Sequence, residues 1–109
     1  MRRVIVESPY AGDIERNVQY AREALADCLR RGEAPFASHL LYTQPGVLRD
    51  EVVEERALGI TAGFAWRAAA DATVFYVDLG WSSGMKAARQ HCLEAALPWE
   101  ERSIRSPAA

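Results

Sequence analysis

Two short runs, RRVIVES (2–8) and ATVFYVD (72–78), are rich in β-branched and aromatic residues, and each ends in a turn-forming stretch. Such runs predict buried strands. The segments between them have helical period instead. From Asp13 to Arg31, Ile14, Val18, Ala21, Leu25, Cys28 and Leu29 recur at three- and four-residue steps, the pattern of one helix face. Asp13 suits the cap that receives free amides, and Arg30 and Arg31 before Gly32 suit the opposite end. Strands that alternate with helices at this spacing imply βαβ units and a mainly parallel sheet.

The remaining segments complete that pattern. APFASHLLY (34–42) reads as a second strand, and TQPGVLRDE as a loop with a Pro45-Gly46 turn. Residues 51–70, rich in Ala, Glu and Arg, read as a helix that Gly59 and Gly63 weaken by roughly 1 kcal/mol each relative to alanine. Two glycines four apart also permit close backbone packing. Residues 84–96 form a last helix, and PWEERSIR supplies a short edge strand. The expected fold is a three-layer α/β sandwich, Rossmann-like or flavodoxin-like, with four or five strands. One domain spans 1–105, and 106–109 is a frayed tail.

With 109 residues, half of them hydrophobic, the chain suits one globular domain. Thirteen basic against fifteen acidic side chains give no broad field for a nucleic acid polymer or an anionic membrane. No segment reaches the length of a membrane span, and the N-terminal apolar run is too short for a signal peptide. A cytoplasmic protein is therefore expected. Cys28 and Cys92 fall at apolar helix phases without metal-type spacing, so both read as buried reduced thiols. No metal or cofactor is expected.

Ligands of open parallel sheets collect at the carboxyl ends of the strands, which directs attention to three segments. In DLGWSSGM, Asp78 ends a strand, and Gly80, Ser82, Ser83, Gly84 and Met85 lead into a helix whose free amides favour an anion, phosphate or carboxylate. Ser82 or Ser83 serves equally well as a plain cap. In ESPYAGD, Ser8, Tyr10 and Gly12 repeat the arrangement, with Tyr10 able to stack on a planar ligand or bond a sugar. In SHLLYTQPG, His39 and Tyr42 lie at a predicted strand end. Arg56 belongs to a charged helix face, or its fork reaches a ligand anion. Trp81 either covers a base or covers a subunit contact.

The order VIVESPYAGD, Asn17, GEAPFASHL and AAADATVFYVDLGWSSGM resembles the nucleoside 2-deoxyribosyltransferase-like superfamily over residues 3–104, and looks closest to its small phage-type relatives. The resemblance implies a nucleoside pocket at Ser8–Gly12 and a turn at Ser82–Gly84 that receives the 5′ end or phosphate. It also implies a glutamate nucleophile at a position occupied here by Ala88, and a second carboxylate where Gly63 stands. The expected function is thus binding of a nucleotide or nucleotide-derived small molecule, as a protein that sequesters or senses it, in a homodimer or larger homo-oligomer. The alternative is N-glycosidic cleavage or transfer by a relocated carboxylate, for which Asp78, Glu7 and Glu55 are the candidates.

Overall fold

The computed structural model describes residues 1–105, so the tail expected at 106–109 lies outside the described residues. Four strands, β1 (Arg2–Glu7), β2 (Glu33–Phe36), β3 (Ala72–Tyr76) and β4 (Trp99–Arg102), form one all-parallel sheet in the order β2-β1-β3-β4. The helices are α1 (Ile14–Arg30), α2 (Ser38–Leu41), α3 (Val53–Arg67) and α4 (Ser83–Glu94). The α/β class is the one the sequence predicts. Among the described residues, no helix is long and apolar enough to cross a membrane.

Successive strand side chains alternate between the sheet faces, and each face has its own core. Val4, Val6, Val74 and Tyr76 pack against Tyr20, Ala24 and Cys28 of α1. On the other face Phe75 meets Met85 and Ala88 of α4, flanked by Phe64 of α3 and by Trp81 and Trp99. Each such aliphatic or aromatic side chain contributes about 1.5–3 kcal/mol on full burial. Both cysteines are buried free thiols, and the Cys28 Sγ lies 3.3 Å from the Tyr76 hydroxyl. The ends of α1 follow the sequence signals: the Asp13 carboxylate accepts from the Arg16 amide at 3.2 Å, and Gly32 takes a φ of 78° just past the helix.

The second predicted strand needs correction. Only Glu33–Phe36 pairs with β1, and Ser38–Leu41 turns into α2. A run this apolar fits a buried strand or a buried helical turn equally well by period alone, and Pro35 confines the strand to the sheet edge. Turning the chain at Ala37 brings Leu40 against the α1 core and sets Ser38 against α3.

There Gly63 leaves room for Ser38. A Cβ built on it would lie 2.7 Å from the Ser38 Oγ and 3.0 Å from the Ser38 Cβ, whereas one on Gly59 would meet only the Leu48 Cδ1 at 3.2 Å. Gly63→Ala is therefore expected to cost about 1–2 kcal/mol by overpacking. Gly59→Ala should be near neutral, because a leucine terminus yields and alanine favours the helix. Urea titrations of the two variants check the contrast.

On the α1 side of the sheet, a buried ion pair joins the two outer strands. Arg102 of β4 donates to both Glu33 oxygens of β2, at 2.6 and 2.7 Å. Arg2 adds a contact to Glu33 at 2.9 Å, while the Tyr76 hydroxyl donates to Asp27 at 2.7 Å. The hydrogen bonds from Arg102 outweigh burial and lower the Glu33 carboxyl to about 2.

Candidate functional site

β1 leads through α1 to β2 on one side, and β3 leads through α4 to β4 on the other, so the strand order diverges between β1 and β3. Chains leaving in opposite directions open a crevice at the carboxyl ends of these two strands. A cleft of about 140 Å³ occupies that place. Its lining takes Glu7, Ser8 and Tyr10 from the end of β1, and Ser82, Ser83, Gly84, Met85 and Ala87 from the start of α4. His39 and Tyr42 enter from α2, and Glu55, Arg56, Ile60 and Phe64 from α3.

Local structure fixes each wall. Asn17 is buried on α1 and its amide donates to the carbonyls of Tyr10 (2.9 Å) and Ala11 (3.1 Å), which holds the loop after β1. Ser82 caps α4, accepting from the Met85 amide at 3.2 Å. The Tyr42 hydroxyl accepts from the Trp66 indole at 3.0 Å, which sets the tyrosine ring.

The chemistry centres on Glu7. Its Oε1 accepts from the Arg67 guanidinium at 2.7 Å, and Arg67 is almost wholly buried with 1% of its side chain exposed. Burial raises the Glu7 carboxyl to about 7, with Arg67 opposing the rise. Arg67 donates from its other terminus to the His91 Nδ1 at 3.0 Å and lies 4.3 Å over the Phe64 ring, which stacks on His91 at 4.4 Å. Because arginine only donates, the His91 Nδ1 is an acceptor. Burial and the neighbouring Arg67 both lower the His91 pKa.

Beside Glu7, the Ser8 Oγ and His39 Nε2 are 2.7 Å apart, and the His39 Nδ1 is buried without a partner among the described residues. Burial pushes His39 down to about 4, so it is neutral near pH 7. Glu55 lines the cleft but also accepts from the Arg49 amide at 3.0 Å and pairs with its guanidinium at 3.4 Å. Arg56 is 3.9 Å from Asp50 and remains partly exposed.

Four residues named from sequence stand apart from the lining: Gly12, Asp78, Gly80 and Trp81. Gly12 and Gly80 adopt φ of 101° and 88° and shape the turns on either side of the cleft. Trp81 packs inward, 4.9 Å from the Phe75 ring and 4.3 Å beneath the Arg89 guanidinium, instead of facing a base. Asp78 is engaged elsewhere. Its carboxylate accepts from the Tyr20 hydroxyl (2.6 Å), the Ser103 hydroxyl and the amides of Ile104 (2.9 Å) and Arg105 (3.0 Å). Burial alone would raise its pKa, but these donors outweigh it and hold the group well below the usual carboxylate range. Asp78 thus ties the segment after β4 to the end of β3.

Position 88 faces the core, where Ala88 packs with Phe75 and Met85, while Ala87 is the neighbour that lines the cleft. Neither brings a carboxylate. Sequence reasoning missed Arg67 and Phe64, because an arginine near the end of a charged helix carries no local sign that it is buried. The only available hint was its three-residue spacing from Phe64, which puts both on one helix face.

Residues 2–102 match the family described as a domain of unknown function, DUF7768. The chain belongs to that family. No curated protein matches the sequence. Among solved structures, the DUF7768 chain is similar to a 2-deoxyribosyltransferase from the psychrotolerant bacterium Bacillus psychrosaccharolyticus, with a TM-score of 0.65 at 13% identity. The similarity covers 98% of this chain and 76% of that one. It establishes a shared fold at a distance.

Proposed function

We propose that the cleft binds a nucleoside or a nucleotide-derived small molecule. The observation that carries this reading is the position of the cleft where the strand order diverges, between aromatic side chains and the start of α4. Tyr10 supplies a ring for a planar base, and the Ser82–Gly84 segment offers hydroxyls and free amides to a sugar oxygen or a phosphate. The fold shared with a 2-deoxyribosyltransferase supports a ligand of nucleoside type. A protein that only binds such a ligand would sequester or sense it.

Calorimetry against a panel of nucleosides, 5′-mononucleotides, cyclic nucleotides and ADP-ribose tests the reading. At least one member is expected to bind saturably, and Tyr10→Ala is expected to weaken it by about 1–3 kcal/mol, the range for base–aromatic stacking. No heat and no thermal shift with any member would overturn it. A second reading, cleavage or transfer at an N-glycosidic bond, is favoured by the Glu7 carboxyl in the lining of the cleft. Release of free base from a bound nucleoside is its signature.

A further inference from the structure

We propose that Glu7 is a catalytic residue, the proton donor and acceptor of the cleft, and that Arg67 is its positioning residue. The inference rests on the binding reading above and assigns its chemistry. Glu7 ends the central strand and lines the cleft, where a reacting group would lie. Its Oε1 is held by Arg67 at 2.7 Å, while Oε2 has no hydrogen-bond partner among the described residues and is not sealed from solvent. One oxygen is therefore anchored and the other is presented. Arg67 is itself fixed by His91 of α4 and by the Phe64 ring, so the carboxyl is held on a rigid frame.

The surroundings favour proton transfer. Facing Glu7 are Arg67 from α3 and, beyond it, His91 from α4, while His39 of α2 and Asp50, Glu55 and Arg56 line the same cleft. Among the described residues only Arg67 pairs with it directly, and burial leaves the acid and the carboxylate both populated near pH 7. Asp78 is excluded from this role by its four hydrogen bonds outside the cleft.

On a nucleoside, the protonated Glu7 gives its proton to the departing base nitrogen as the C1′–N bond breaks, and the electron pair of that bond leaves with the base. Water forms the new C1′–O bond, and the proton it releases returns to the Glu7 carboxylate. The acid is thereby restored and the sugar leaves as the free hemiacetal.

The experiment follows the four common 2′-deoxynucleosides and their 5′-monophosphates by calorimetry and by release of free base, for the wild type and Glu7→Gln. The variant is expected to bind as the wild type does and to release base at least about 100-fold more slowly. Wild-type release should fall as pH rises through about 7, where Glu7 loses its proton. Equal release by Glu7→Gln would overturn the assignment, as would binding without any release by the wild type, which would leave the binding reading standing. Failure of every probe to bind would overturn both.

A carbon-13 NMR titration of the Glu7 carboxyl gives a readout that needs no turnover. A midpoint near 7 is expected, and a midpoint near 4.5 would overturn the proposal. Arg67→Gln should move that midpoint upward, because it removes the opposing cation. Arg67→Lys, which keeps a cation and guards against loss of folding, should keep it near the wild-type value while release slows. An unmoved midpoint in a folded Arg67→Gln protein would remove Arg67 from the mechanism.

Discussion

Replacing Arg102 by methionine is expected to destabilise the domain by about 3–5 kcal/mol, the range for removing one partner of a buried ion pair. The cause is the carboxylate left behind. Glu33 has 7% of its side chain exposed and would lose both short hydrogen bonds from Arg102. Only Arg2, itself 45% exposed, would remain as its cation. In a domain of this size each kcal/mol lowers the melting temperature by roughly 4–8 °C, so the effect is easily read by calorimetry. The double variant Arg102→Met/Glu33→Leu should recover most of the loss, because no charge is then stranded. Equal stability of Arg102→Met and the wild type would show that the pair is not buried in solution.

Asp78→Asn is expected to cost about 2–3 kcal/mol near neutral pH, because hydrogen bonds to a charged acceptor contribute more than those to a neutral one. The asparagine amide nitrogen would also oppose at least one of the four donors. The pH dependence has a definite sign. The folded-state pKa of Asp78 is depressed, so its contribution is present above its ordinary value of 3.8 and is lost as pH falls through the folded value. Stability curves of wild type and variant should therefore lie apart at pH 7 and approach each other in acid. Parallel curves at all pH values would refute this account.

These two carboxylates show how far the sequence could be read. The central strands and the extent of α1 were legible, because Val4–Val6, Val74–Tyr76 and the three- and four-residue steps of α1 express local periodicity. The buried face of α1 is nevertheless rotated from the one read: Ala21 and Cys28 are buried with Tyr20 and Ala24, whereas Ile14 and Leu29 are exposed. Some of the residues that line the cleft were also legible from their place after a strand, as with Ser8, Tyr10 and Ser82–Gly84, although Gly12, Gly80 and Trp81, read in the same way, stand apart from the lining. Asp78 was misread for the same reason. It follows a strand too, but its donors come from Tyr20, 58 positions earlier, and from the segment after β4. The Glu7–Arg67 and Glu33–Arg102 pairs, 60 and 69 residues apart in sequence, have no local signature at all. The turn at Ala37 was hidden by the equal fit of a short apolar run to strand and helix.

The ion pair between the outer strands has a further consequence, for the order of events in folding. Within this domain Glu33 is made well before its buried partner, which lies 69 residues later. A growing chain can form α1 and pair β1 with β2 early, because those contacts are local. Until Arg102 arrives, Glu33 has only the exposed Arg2 beside it and stays accessible to water. Closing the long loop to Arg102 is then a late step that locks strands already assembled. Nascent chains that stop before residue 102 should accordingly remain sensitive to protease, and resistance should appear abruptly once the last strand is free to dock.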